Sequence, residues 1–78
     1  MTEKTKRSSP YAVAINPCLK KFGREDIDPR HIEAYMRLQY GTLSHLSRET
    51  FEGETKLLIE VVDLDLEGAE ETAQSYGL

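Results

Sequence analysis

Residues that start and stop helices divide this chain at short intervals, and they limit its fold to a set of short helices. Asn16-Pro17 and Asp28-Pro29 each place a capping side chain before a proline at the first helical position. Gly23 and Gly41 follow as stops, because glycine readily adopts the left-handed conformation that ends a helix. The sequence therefore predicts a short helix from residue 17 to 22 and a longer one from 30 to 40.

The strongest apolar periodicity follows Ser47, which predicts the cap of the longest helix. Apolar residues recur there in two neighbouring rows at helical spacing, which predicts a wide stripe facing the core. One row is Phe51, Leu58 and Val62, and the other is Thr50, Leu57 and Val61. Gly53 lies inside this helix and predicts either the close approach of another backbone or a kink.

A last helix is predicted to begin at Asp63 or Asp65 and to run to Tyr76. Its inward row is predicted to be Leu66, Ala69, Ala73 and Tyr76. Gly77 suits the left-handed position after the last turn, and Leu78 is expected to fold back onto the helix. We therefore expect the chain to end where the fold ends.

Residues 11–15 leave two interpretations open. Large and small apolar residues alternate from Tyr11 to Ile15, and a period of two favours a strand. Equally, Ser9-Pro10 is a suitable start for a helix. A strand has no evident partner in the rest of the chain, so it would lie across the helices or pair with a second molecule in a dimer.

Together these patterns predict an all-α fold, a small three- to four-helix bundle in which residues 10–78 form a single helical domain. Residues 1–9 are polar and basic, and we expect them to form a flexible lead. With 78 residues the domain is marginally stable, so a dimer or a bound partner would be a reasonable supplement.

The single cysteine, Cys18, excludes an internal disulfide and favours a reducing compartment. No apolar run approaches the roughly 20 residues of a membrane span, and the start of the chain lacks the apolar region of a signal peptide. We therefore expect a cytoplasmic protein without membrane contact.

Cys18, His31 and His45 are the candidates for metal binding or nucleophilic catalysis. They lie on three different elements and lack the close paired spacing of metal ligands. Only a short helix start and the neighbouring lysines would activate Cys18, so we interpret it as a small buried apolar residue and both histidines as solvated. The sequence predicts no enzyme, no metal site and no cofactor.

Charge is divided by position, with a net of about +3 in residues 1–39 and −7 in residues 40–78. Part of the acidity belongs to helix starts, where the helix dipole favours negative charge. The remainder predicts an acidic surface that attracts a basic protein partner. Its residues are predicted to be Glu60, Asp63, Asp65, Glu67, Glu70 and Glu71.

An alternative is a regulator that binds nucleic acid through a basic arm. The residues of that arm would be Lys4, Lys6, Arg7, Lys20, Lys21 and Arg24. The helix after Ser47 is a poor reading helix, because its outward residues are mainly carboxylates, which phosphate repels. A basic lead can also serve solubility alone.

The stretch DIDPRHIEAYMRLQYGTLSHLSRETF at residues 26–51, with NPCL at 16–19 and AQSYGL at 73–78, resembles a group of short bacterial proteins from mobile elements and accessory gene regions. No activity is known for that group, so the resemblance assigns no site residue. It implies a bacterial accessory protein that binds a partner, and its setting suggests, by analogy, an inhibitor or regulator. Together with the divided charge and the small size, we predict a non-enzymatic protein that acts by contact with a protein partner or by self-association.

Overall fold

Four helices make up residues 10–78, the part of the chain that the structure, a computed structural model, describes. They are α1 (Pro10–Lys21), α2 (Pro29–Tyr40), α3 (Arg48–Leu64) and α4 (Leu66–Ser75). The prediction of an all-α bundle is confirmed, and these residues contain no strand. The predicted flexible lead at 1–9 lies outside the described residues. No helix within 10–78 combines the length and the apolar character that a membrane span requires.

The first helix corrects two expectations. Residues 11–15 are helical from Pro10 onward, so the strand interpretation is wrong, and pairing of such a strand in a dimer loses its basis. Pro17, predicted to start a separate helix, lies inside α1. A proline in a helix interior removes one hydrogen bond and is unfavourable by about 3 kcal/mol. Ile15 and Leu19, on either side of Pro17, are buried on one continuous helical face, and their burial outweighs both this cost and the local start signal at Asn16-Pro17.

Glycines end α1, α2 and α4, as the sequence predicts. Gly23, Gly41 and Gly77 have φ angles of 72°, 78° and 74°. After α4, the Leu78 amide donates to the Ala73 carbonyl at 2.9 Å and the Gly77 amide donates to the Gln74 carbonyl at 3.0 Å. This pair of bonds satisfies carbonyl groups that the helix end would otherwise leave open, so Leu78 does fold back onto α4.

The central element is α2, which packs against α1, α3 and α4, whereas α1 and α4 do not contact each other within residues 10–78. Asp28 fixes its start, because the carboxylate accepts a bond from the Arg30 amide at 2.9 Å. The core around it is formed by Ile15, Leu19, Ile27, Ile32, Met36, Leu43, Leu58, Ile59, Val62 and Ala69. Its contact with α4 is antiparallel, since His31 and Arg30 near its start reach Glu70 and Leu78 near the end of the chain.

The longest helix buries a narrower stripe than the sequence predicts. Leu58, Ile59 and Val62 are buried, but Leu57 and Val61 are exposed. The prediction that these two residues face the core is wrong, because the three helices that pack against α3 leave the side with Leu57 and Val61 exposed. Leu66, predicted to face inward from α4, is exposed as well.

Gly53 does not mark a close approach of another backbone. A Cβ atom built at this position meets no atom within 4 Å outside the local helix, and α3 is continuous from Arg48 to Leu64. The expectation of a crowded backbone at Gly53 is therefore wrong, and the residue lies on an open side of the helix.

Candidate protein-binding surface

The joint between α3 and α4 consists of a single residue, Asp65. Its amide donates to the carbonyls of Val61 and Val62 at 3.1 and 3.2 Å, which ends α3. Its carboxylate accepts a bond from the Gly68 amide at 2.9 Å, which caps α4. Asp65 therefore belongs to the joint as a structural residue, although its side chain is exposed.

A second predicted surface carboxylate, Asp63, is paired within the chain. Two guanidinium nitrogens of Arg24 bind its two carboxylate oxygens, each at 2.8 Å. The same arginine also binds Asp26 at 3.1 and 3.2 Å. These hydrogen bonds hold the pKa of Asp63 below its usual value, and they offset its charge.

A third, Glu70, binds α2. The Nε2 atom of His31 lies 2.8 Å from Glu70 Oε1, and the guanidinium of Arg30 lies 3.7 Å from the same oxygen. The bond with His31, followed by one from Gln74, lowers the pKa of Glu70. His31 itself is 6% exposed, so the expectation that this histidine is solvated is wrong. Its place between α2 and α4 follows from their packing, which no local pattern reveals.

The other three predicted carboxylates remain open. Glu60, Glu67 and Glu71 are exposed and form no ion pair within residues 10–78. Glu67 occupies the first turn of α4, where the helix dipole favours it, and Glu71 follows one turn later. The structure thus divides the six predicted residues into three that stabilise the fold and three that face solvent without a cation.

An exposed apolar row lies on α3, the helix of Glu60, and the sequence pattern predicts part of this row to be core. Leu57, Val61 and Leu64 are 58%, 39% and 87% exposed, and we call them the outer row. Spacings of four and three residues place them along one side of α3, with Glu60 beside them. In the sequence, the signal for this exposed row is the width of the apolar stripe, because a helix in a small bundle seldom buries so wide an arc.

The residues of the alternative basic arm do not form one open surface in the described part. Arg24 is held by Asp63 and Asp26, and the amine of Lys21 lies 3.4 Å from Glu52 Oε1. Lys20 is exposed at the end of α1. The remaining three, Lys4, Lys6 and Arg7, lie outside the described residues.

A cavity of about 420 Å³ opens between α1 and the start of α3. Its walls are Ala14, Pro17, Cys18, Lys21, Arg48, Phe51 and Glu52, and they include neither histidine. The Cys18 thiol is buried as predicted and donates to the Ala14 carbonyl at 3.7 Å. Burial, and then the nearby Glu52 carboxylate, raise the pKa of this thiol, which favours its less reactive protonated form.

The described residues 10–78 contain no cluster of three or more His, Cys, Asp or Glu side chains placed to hold a metal ion. Comparison with protein families, with curated proteins and with solved structures finds no match to this chain. The candidate site is therefore the exposed surface on both sides of the joint of α3 and α4, with the open carboxylates Glu60, Glu67 and Glu71.

Proposed function

We propose that this protein is a small non-enzymatic bacterial accessory protein that acts by binding another protein in the cytoplasm. The observation that carries the proposal is the set of open carboxylates Glu60, Glu67 and Glu71, which lack the cation partners that Asp63 and Glu70 have. Glu67 and Glu71, four residues apart on α4, are a pair of like charges that is unfavourable in the free protein, and a basic partner relieves that repulsion.

The charge distribution supports the same conclusion. Residues 40–78 carry a net charge of about −7 and include both acidic helices. Such a field attracts a positively charged partner over distances of about a Debye length and raises its association rate. An inhibitor or regulator encoded in a mobile element, as the resemblance implies, would act through this kind of contact, and self-association is its simplest other form.

Affinity capture from the native host, followed by mass spectrometry, tests the proposal. The variant E67K/E71K removes two open carboxylates, and E25K/E49K serves as a matched control. Both variants change the net charge equally, and each removes one glutamate from the first turn of a helix, Glu67 or Glu49.

We expect the wild type and the control to retain a basic protein in a salt-sensitive manner, and E67K/E71K to lose it. Equal recovery by all three forms, or no protein retained above background by any of them, contradicts the proposal.

The nucleic-acid alternative depends mainly on Lys4, Lys6 and Arg7 and stays a prediction. Gel shifts at low salt with the full chain and with a chain lacking residues 1–9 test it directly. A salt-dependent shift that disappears with the deletion would favour it, and the absence of any shift at low salt would exclude it.

A further inference from the structure

We propose that the partner binds through an amphipathic helix with basic flanks, which packs along the outer row of α3. This inference rests on the proposed function and specifies the chemistry of the partner at the same surface. It joins two neighbouring features of the structure, the exposed apolar row and the carboxylates beside it.

The spacing of the outer row suits a helical partner. Leu57, Val61 and Leu64 follow one another at intervals of four and three, the repeat by which one helix presents a seam to a second helix. The row extends about 10 Å along α3, which matches two turns of an opposing helix. Gly53, one turn before Leu57, has open space around it and leaves room for the partner to continue.

The charges beside the row define the flanks of that helix. Glu60 lies between Leu57 and Leu64 on the neighbouring line of α3, and Glu67 lies in the first turn of the next helix, α4, directly after the joint. A helix seated on the row brings its flanking positions close to Glu60, and one that continues beyond Leu64 brings them toward Glu67 at the start of α4. Lysine or arginine at those positions pairs with them, as flanking charges do in paired helices.

Two other occupants fit less well. A second copy of this chain would place the same carboxylates opposite one another, and each copy carries a net charge of −4. The segment 1–9 is basic, but Met1 is its only large apolar residue, so it cannot cover three apolar side chains. The charge complementarity therefore favours a different, basic chain.

A designed peptide provides the probe. It has about 20 residues, with leucines at alternating intervals of three and four and lysines on both flanks of that row, and a scrambled peptide of the same composition is its control. The full-length protein is titrated with each peptide, with backbone amide shifts followed by NMR and peptide helicity by circular dichroism. We expect the patterned peptide to become helical, to shift amides around Val61, Leu64 and Glu67, and to bind at least about tenfold more tightly than the scrambled one.

Two protein variants locate the contact. V61S/L64S removes most of the outer row, whereas V13S/L38S removes two apolar residues of comparable exposure, 58% and 64%, from other helices. We expect V61S/L64S to bind the patterned peptide no better than the scrambled one, and V13S/L38S to bind as the wild type does. Light scattering of the free protein reports whether the row is occupied by a second copy.

Equal binding of the two peptides, no binding of either, or a dimer that V61S/L64S dissociates would each overturn the inference. The captured protein separates this failure from that of the proposed function. A partner that E67K/E71K loses and V61S/L64S retains would leave protein binding intact and refute the role of the outer row.

Discussion

The guanidinium of Arg24 donates to both carboxylate oxygens of Asp63, at 2.8 Å each, and thereby connects the loop after α1 to the last turn of α3. Two residues 39 positions apart thus remove one charge from the predicted basic arm and one from the predicted acidic surface. An excess of charge in the sequence therefore overstates the charge that is free to meet a partner.

This pair gives the fold a dependence on acid. Because the pKa of Asp63 is lowered in the folded state, its contribution to stability is complete above the unfolded pKa, about 3.9, and is lost as the pH falls through the lower folded value. We expect D63N to lower the unfolding temperature slightly at neutral pH and to flatten its decline in acid. Thermal unfolding by circular dichroism across that range measures both effects. The exposed Glu25 provides the control E25Q, and a D63N curve that keeps the wild-type decline would refute the assignment.

The two histidines should differ sharply in their effect on stability. His31 is buried against α4 and bonded to Glu70, whereas His45 is exposed in the loop before α3. We expect H31A to lower the free energy of unfolding by about 2–3 kcal/mol, because it leaves a cavity and removes a bond between two helices. H45A should leave it within about 0.5 kcal/mol of the wild type. Urea denaturation measures both values, and equal effects would mean that His31 is solvated after all.

Capping and charge can be separated at Asp65. The substitution D65A removes the bond to the Gly68 amide, so we expect it to lower the free energy of unfolding by about 1 kcal/mol. D65N removes the charge but keeps a good capping oxygen, so we expect it to lower the free energy of unfolding by only a small part of the amount that D65A does. Chemical denaturation compares them. If D65N is as unstable as D65A, the carboxylate charge matters at the joint and its geometry does not.

Two helical glycines offer an opposite pair of outcomes. Gly53 is on an open side of α3, so G53A should raise the free energy of unfolding by up to about 1 kcal/mol through helix propensity. A Cβ atom at Gly68 would instead meet the Asp65 carboxylate, with its Cγ at 2.8 Å, and would displace the cap. We therefore expect G68A to show no such gain and to destabilise the protein. Thermal unfolding of both variants tests the difference, and stabilisation by G68A would show that the carboxylate moves aside at no cost.

The sequence predicted well those features that depend on a few adjacent residues. The caps at Asp28 and Ser47 and the stop at Gly41 follow from local hydrogen bonding and backbone conformation, and the structure confirms all three. Local reasoning failed at Pro17, where a start signal is outweighed by the burial of residues on either side of it.

The candidate surface was harder to predict, because its state depends on neighbours distant in sequence. The pattern of α3 shows which residues are apolar but not which of them the other helices cover, and it therefore wrongly predicts that Leu57 and Val61 face the core. The ion pairs of the two carboxylates likewise depend on tertiary packing. Asp63 binds Arg24 from the loop after α1, and Glu70 binds His31 from the start of α2.

The attachment of α4 has a consequence for the order in which the molecule opens. This helix packs against α2 and α3 and buries two small side chains there, Ala69 and Ala73, and the cap at its start and the contacts of Glu70 and Leu78 with α2 add polar bonds to that packing. Polar contacts at a surface weaken in salt and acid, whereas the apolar core of the other three helices does not. We therefore expect the C-terminal helix to detach before the other three helices when salt is raised or the pH is lowered, and its amides then to exchange with solvent before those of α2.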